Sequence, residues 1–162
     1  MTREYPPTVN HARSLDPAWL VRFVLTGGTV PTTSKPLPSI LVLARPGPES
    51  DDIFADLSQR EDLCLLRVAT PAAANRTVAE MPVALVIACP ETAAAAIESV
   101  VAHLDQVRRG TPVLAIRPRQ AQAPSAWSAQ NVAVLRMPLL PGVLSRSVDV
   151  VLGMKRNHEG ER

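Results

Sequence analysis

Five short runs, residues 40–44, 63–69, 83–88, 112–116 and 132–135, are almost wholly apolar, and helix-forming sequence separates each from the next. A strand with one face in water alternates apolar and polar side chains. Runs that are apolar at nearly every position suit strands buried on both faces, as in a parallel sheet. Parallel neighbours also need crossover connections of a dozen or more residues, and helices supply them. The pattern predicts an α/β sandwich, a doubly wound five-stranded parallel sheet with helices on both sides.

The helices carry their own punctuation. Residues 50–59 read as a helix with Asp51, Asp52 and Asp56 toward its positive end. Thr70 is placed to cap, and Pro71 to open, a helix running to Glu80. Thr92 reads as the cap of the clearest helix, which sets Ile97, Val100, Val101, Leu104 and Val107 on one face and stops at Gly110. Residues 141–152 form the last helix, with Leu144, Val148, Val151 and Leu152 on one side. Between the fourth and fifth strands, residues 119–131 have room for one short helix near 125–129, interrupted by Pro124.

Residues 39–153 thus form the domain, between an N-terminal arm, 1–38, and a polar tail, 154–162. In the arm, Asp16 as cap, Pro17 at the first position and Gly27 or Gly28 as stop predict a helix over 17–26, with Leu15 and Leu20 as a staple. A linker punctuated by Pro31, Pro36 and Pro38 follows. Trp19, Leu20, Phe23 and Val24 make an apolar stripe on this helix, fit to dock on its own domain, to swap across a homodimer, or to enter a partner's groove.

The same composition excludes several functions. A net charge of +2 argues against a dedicated nucleic-acid binder, which concentrates basic charge on one face, and 3% aromatics leaves few platforms for stacking bases. No apolar stretch reaches the ~20 residues of a membrane span. Cys64 and Cys89 have no metal-ligand spacing and no signal peptide precedes the domain, so a reduced, cytoplasmic home is expected. His11, His103 and His158 are too scattered for a triad or a metal centre. The loop after the first strand, Arg-Pro-Gly-Pro at 45–48, lacks the glycines of a phosphate-binding loop and the hydroxyls of a flavin site. No cofactor, metal or catalytic group is expected.

Taken in order, residues 40–43 (Ile-Leu-Val-Leu), 82–87 (Pro-Val-Ala-Leu-Val-Ile), 112–116 (Pro-Val-Leu-Ala-Ile), and Met137-Pro138 followed by Leu144 resemble the receiver domain of bacterial response regulators. The resemblance spans residues 40–152. It implies a flavodoxin-like sheet in the order 2-1-3-4-5 with right-handed crossovers. It also implies a phosphorylation pocket: an acidic pair after strand one for Mg²⁺, an aspartate after strand three, a threonine or serine after strand four, and a lysine before a proline, commonly cis, after strand five. Those positions align with Ala44 and Arg45, Ala88, Arg117, and Met137 before Pro138. Alanine and arginine offer Mg²⁺ no oxygen ligand, and a methyl group is no phosphoryl acceptor. Cys89 adjoins Ala88 but points to the opposite face by strand alternation. The switch aromatic of strand five aligns with Val134. The resemblance thus implies a pseudo-receiver, working through protein contacts in two-component signalling, as a homodimer or with another protein.

Two further features bear on function. Arg45 and Arg117 sit at the carboxyl ends of strands, where open α/β sheets bind ligands, with Arg67 near the end of strand two. They are placed either to hold an anion or to pair with Glu49, Asp51, Asp52 or Glu91. Trp127 is placed either to anchor an interface or to cover the sheet beside Val132 and Val134.

Overall fold

The computed structural model describes residues 35–159, with side chains through Gly153. The helix expected over 17–26, with Trp19, Leu20, Phe23 and Val24, lies outside the described residues. In chain order the elements are β1 (Ser39–Leu43), α1 (Pro48–Ser58), β2 (Cys64–Val68), α2 (Pro71–Glu80), β3 (Leu85–Ala88), α3 (Ala94–Val107), β4 (Val113–Arg117), a 3₁₀ turn (Ser125–Ser128), β5 (Val132–Arg136) and α4 (Val143–Glu159). All five strands pair in parallel, in the order β2-β1-β3-β4-β5. This is the expected flavodoxin-like topology. No described helix is long and apolar enough to cross a membrane.

The central strands have two buried faces, as their unbroken apolar sequence requires. Ile40, Val42, Leu85, Ile87, Leu114 and Ile116 pack in one layer with Ile53 and Leu57 of α1 and Leu144, Val148 and Leu152 of α4. Leu41, Leu43, Val86, Val113 and Ala115 pack in the other with Ala74 and Val78 of α2 and Ile97, Val100, Val101 and Leu104 of α3. Thr70 caps α2 as its sequence demands: its hydroxyl accepts from the Ala73 amide at 3.2 Å, with Pro71 at the first position. Gly110, past the end of α3, takes the left-handed conformation at φ +85° that stops a helix cheaply.

Three expectations are corrected. Thr92 does not cap α3; Ala93 holds that position without a side-chain bond, and the Thr92 hydroxyl donates across the sheet to the Leu43 carbonyl at 3.2 Å. Helix α1 starts two residues early, at Pro48, and Asp56 falls in its last turn, the negative end. Helix α4 continues past Leu152 to Glu159, since no proline follows to end it and Gly153 is carried within it at a cost. The short helix expected near 125–129 is present as a 3₁₀ turn at Ser125–Ser128, entered from Pro124.

Candidate functional site

The carboxyl edge of the sheet is where ligands meet folds of this topology. It starts at Ala44, whose amide donates to the Val68 carbonyl at 2.9 Å, and at Cys89, whose amide donates to the Leu43 carbonyl at 3.0 Å. The β1–β3 register sets Leu43 beside Ala88, which brings the next residues, Ala44 and Cys89, side by side. Both lie in the layer under α1 and α4, while Ala88 faces the opposite layer with α2 and α3. Alternation therefore removes Ala88, not Cys89, from the face that Ala44 occupies. The expectation that strand alternation turns Cys89 away is thus corrected: it is Ala88 that faces the other layer.

Cys89 is fully buried, and burial, reinforced by the nearby Glu91 charge, pushes its thiol from the ordinary 9.0 up to about 12. A thiol held protonated is a poor nucleophile. Maleimide is expected to label the exposed Cys64 in the native protein and Cys89 only after unfolding, read by intact mass; rapid native labelling of both would contradict this burial. The folded state keeps the Cys89 proton where the unfolded chain releases it. Its contribution to stability is therefore complete below pH 9.0 and is lost progressively as pH rises toward about 12.

Around this pair the edge loops are tied to one another. Ser50, completely buried, donates to the carbonyls of Arg45 at 2.5 Å and Gly47 at 3.0 Å. Arg67 lies over the Phe54 ring, pairs with Asp51 at 2.6 Å, and donates to Ser50 Oγ at 3.2 Å. Arg117 donates to the Thr92 carbonyl at 2.7 Å, and its guanidinium carbon stands 5.9 Å from the Trp127 ring centroid. Arg45 is exposed, contributing its carbonyl rather than its side chain to this lacing. Arg67 thus takes one of the ion pairs anticipated for these arginines, whereas Arg117 is held by a carbonyl. Sequence reading missed Ser50 and Thr92 as edge ties, since both resemble helix-start residues.

Met137 is half-buried against the α1 and α4 layer, and its peptide bond to the exposed Pro138 is cis. Val134 packs partly buried against the α2 and α3 layer. Trp127 is 1% exposed in that layer and cannot serve as an exposed anchor; it covers the sheet, the second of its two expected roles. His103 is half-buried on α3. Among the described residues, no three His, Cys, Asp or Glu side chains come together to hold a metal ion.

No family model matches the chain, and no curated protein is significantly similar to it. Solved structures do resemble it. The signal receiver domain of a putative LuxO repressor protein from Vibrio parahaemolyticus superposes with a TM-score of 0.58 at 17% identity, covering 78% of this chain and 99% of that one. The receiver domain of a sensor histidine kinase from Pseudomonas aeruginosa, with magnesium in its active-site cleft, gives 0.58 at 16% identity, covering 73% and 99%. The Saccharomyces cerevisiae Ssk1 receiver domain, crystallised with the histidine phosphotransfer protein Ypd1, gives 0.57 at 13% identity, covering 76% and 94%. With its strand order, layers and edge geometry, the described domain has the fold of a response-regulator receiver domain.

Proposed function

We propose that this protein is a pseudo-receiver: a receiver fold that acts by protein contact, without phosphoryl transfer, as a signalling or regulatory adaptor or an assembly subunit. The observation that carries the reading is the side-by-side placement of Ala44 and Cys89 at the edge where a receiver holds carboxylates. Neither side chain supplies the hard oxygen that Mg²⁺ requires. An acyl phosphate needs a carboxylate, and a buried, protonated thiol is no replacement for it. Met137 and Arg117 stand where the lysine and the hydroxyl would assist the transfer. The guanidiniums of Arg67 and Arg117 are engaged within the fold, which favours protein contact over an anion held between Arg45 and Arg117. A reducing cytoplasm, where both cysteines stay free, and self-association as a homodimer are parts of the same proposal.

Incubation with acetyl phosphate and Mg²⁺ is expected to leave the intact mass unchanged. Stoichiometric phosphate that survives acid and is released by base would mark an aspartyl phosphate and overturn the reading.

A further inference from the structure

Helix α1 carries an exposed acidic stripe of which only Glu49, in the first turn, is favoured by the helix dipole. Glu49, Asp52 and Asp56 are spaced three and four residues apart, so they form one stripe on the helix surface, and all three are exposed. Like charges at these spacings repel. Asp56 also stands in the last turn, against the helix dipole, and no basic residue lies in that turn. Among the described residues, the ion pairs join Arg60 to Asp62 and Asp149 and Arg67 to Asp51, so none of the stripe's three carboxylates has a cation. Locally unfavourable choices without an internal compensation are expected at functional surfaces.

The stripe borders a groove of about 310 Å³ between α1 and the β5–α4 loop, with Ile53, Leu139 and Leu144 among its apolar lining. Leu140 stands on the lip, 72% exposed. A groove of this size takes one or two side chains rather than a whole helix, and its rim sets the charge of whatever follows them. A second copy seated face to face would bring two acidic stripes together, which like-charge repulsion opposes. We propose that this groove docks a segment of another protein in which lysine or arginine residues flank an aliphatic or aromatic anchor. The anchor enters over Leu140, and the cations meet Glu49, Asp52 and Asp56. This rests on the reading of the domain as a protein-contact module, and gives that contact a place and a chemistry.

The full-length protein is used to select from a phage-displayed library of random short peptides, and the enriched peptides are titrated by fluorescence anisotropy. The enriched sequences are expected to combine basic residues with a large apolar one. Affinity is expected to fall about tenfold or more in the Asp52→Lys/Asp56→Lys double variant and in Leu140→Asp, and to weaken with added salt as screening requires. Because the double variant relieves the stripe's repulsion and puts a cation in the last turn, it should melt no lower than the parent while binding worse. All three positions are exposed, so the fold does not depend on them. Enrichment without basic residues, or affinities unmoved by either variant, would overturn the proposal. A dimer in size-exclusion chromatography that dissolves in Leu140→Asp would identify a second copy as the occupant, and would overturn it too. Phosphate uptake would sink the pseudo-receiver reading alone, because peptide selection reports on the groove whichever way that assay falls.

Discussion

Trp127→Ala is expected to cost about 3–5 kcal/mol and to lower the melting temperature by about 10–20 °C, the range for removing a large buried aromatic from a small domain. Between β4 and β5 the chain provides only a 3₁₀ turn, too short to lay a helical face on the sheet. The indole, 1% exposed, takes over that covering in the layer that holds Val113, Ala115, Val132 and Val134. An aromatic side chain of this size buries about 150–250 Å², comparable to a short amphipathic face. Its loss would also remove the ring beneath the Arg117 guanidinium, loosening the link from β4 to the Thr92 loop. The indole N–H has no acceptor among the described residues, so Trp127→Phe gives up volume but no hydrogen bond and should recover most of the stability. Urea unfolding of the three proteins checks the ranking. An alanine variant within about 1 kcal/mol of the parent would show that the turn does not support the sheet.

Cys89→Asp, which installs a receiver-like carboxylate beside Ala44, is expected to destabilise the domain by about 3 kcal/mol at neutral pH and to gain no phosphate. The position is fully buried and its surroundings are apolar. Desolvation raises a carboxyl pKa there above the ordinary ~4. The folded state would then hold the proton more tightly than the unfolded chain, so the variant's stability is greatest below about pH 4 and is lost as pH rises through the raised value. Unfolding compared at about pH 4.5 and about pH 7.5 reads that sign directly. Phosphate uptake stays absent because Ala44 and Arg45 bring no oxygen ligand to Mg²⁺, and a guanidinium repels the ion. Equal destabilisation at both pH values would contradict the burial of the site. Phosphorylation of this single variant would show that one carboxylate suffices, against the proposal.

The fold was largely legible because it rests on features local in sequence. Unbroken apolar runs such as Val-Ile at 86–87 require cover on both faces, and Thr70-Pro71 and Gly110 mark helix ends by their own stereochemistry. Thr92 was misread because a hydroxyl before a helix serves a cap or a distant carbonyl equally well, and only the approach of β1 decides for Leu43. The arginines were ambiguous for a similar reason. Arg67 has Asp51 within reach only because β2 lies next to β1 and α1 follows β1. The groove beside Leu140 had no signature in sequence, since α1 and the β5–α4 loop come from opposite ends of the domain.

By itself the sequence determined the parallel α/β sandwich, its element order, and the want of carboxylates at strand ends, because periodicity, capping and residue chemistry are short-range. Tertiary structure decided which residues meet: Cys89 rather than Ala88 beside Ala44, Trp127 inside rather than on the surface, and an acidic stripe along an apolar groove. A one-residue step along a strand reverses the face a side chain occupies, and that register is set by pairing with a neighbour strand distant in sequence.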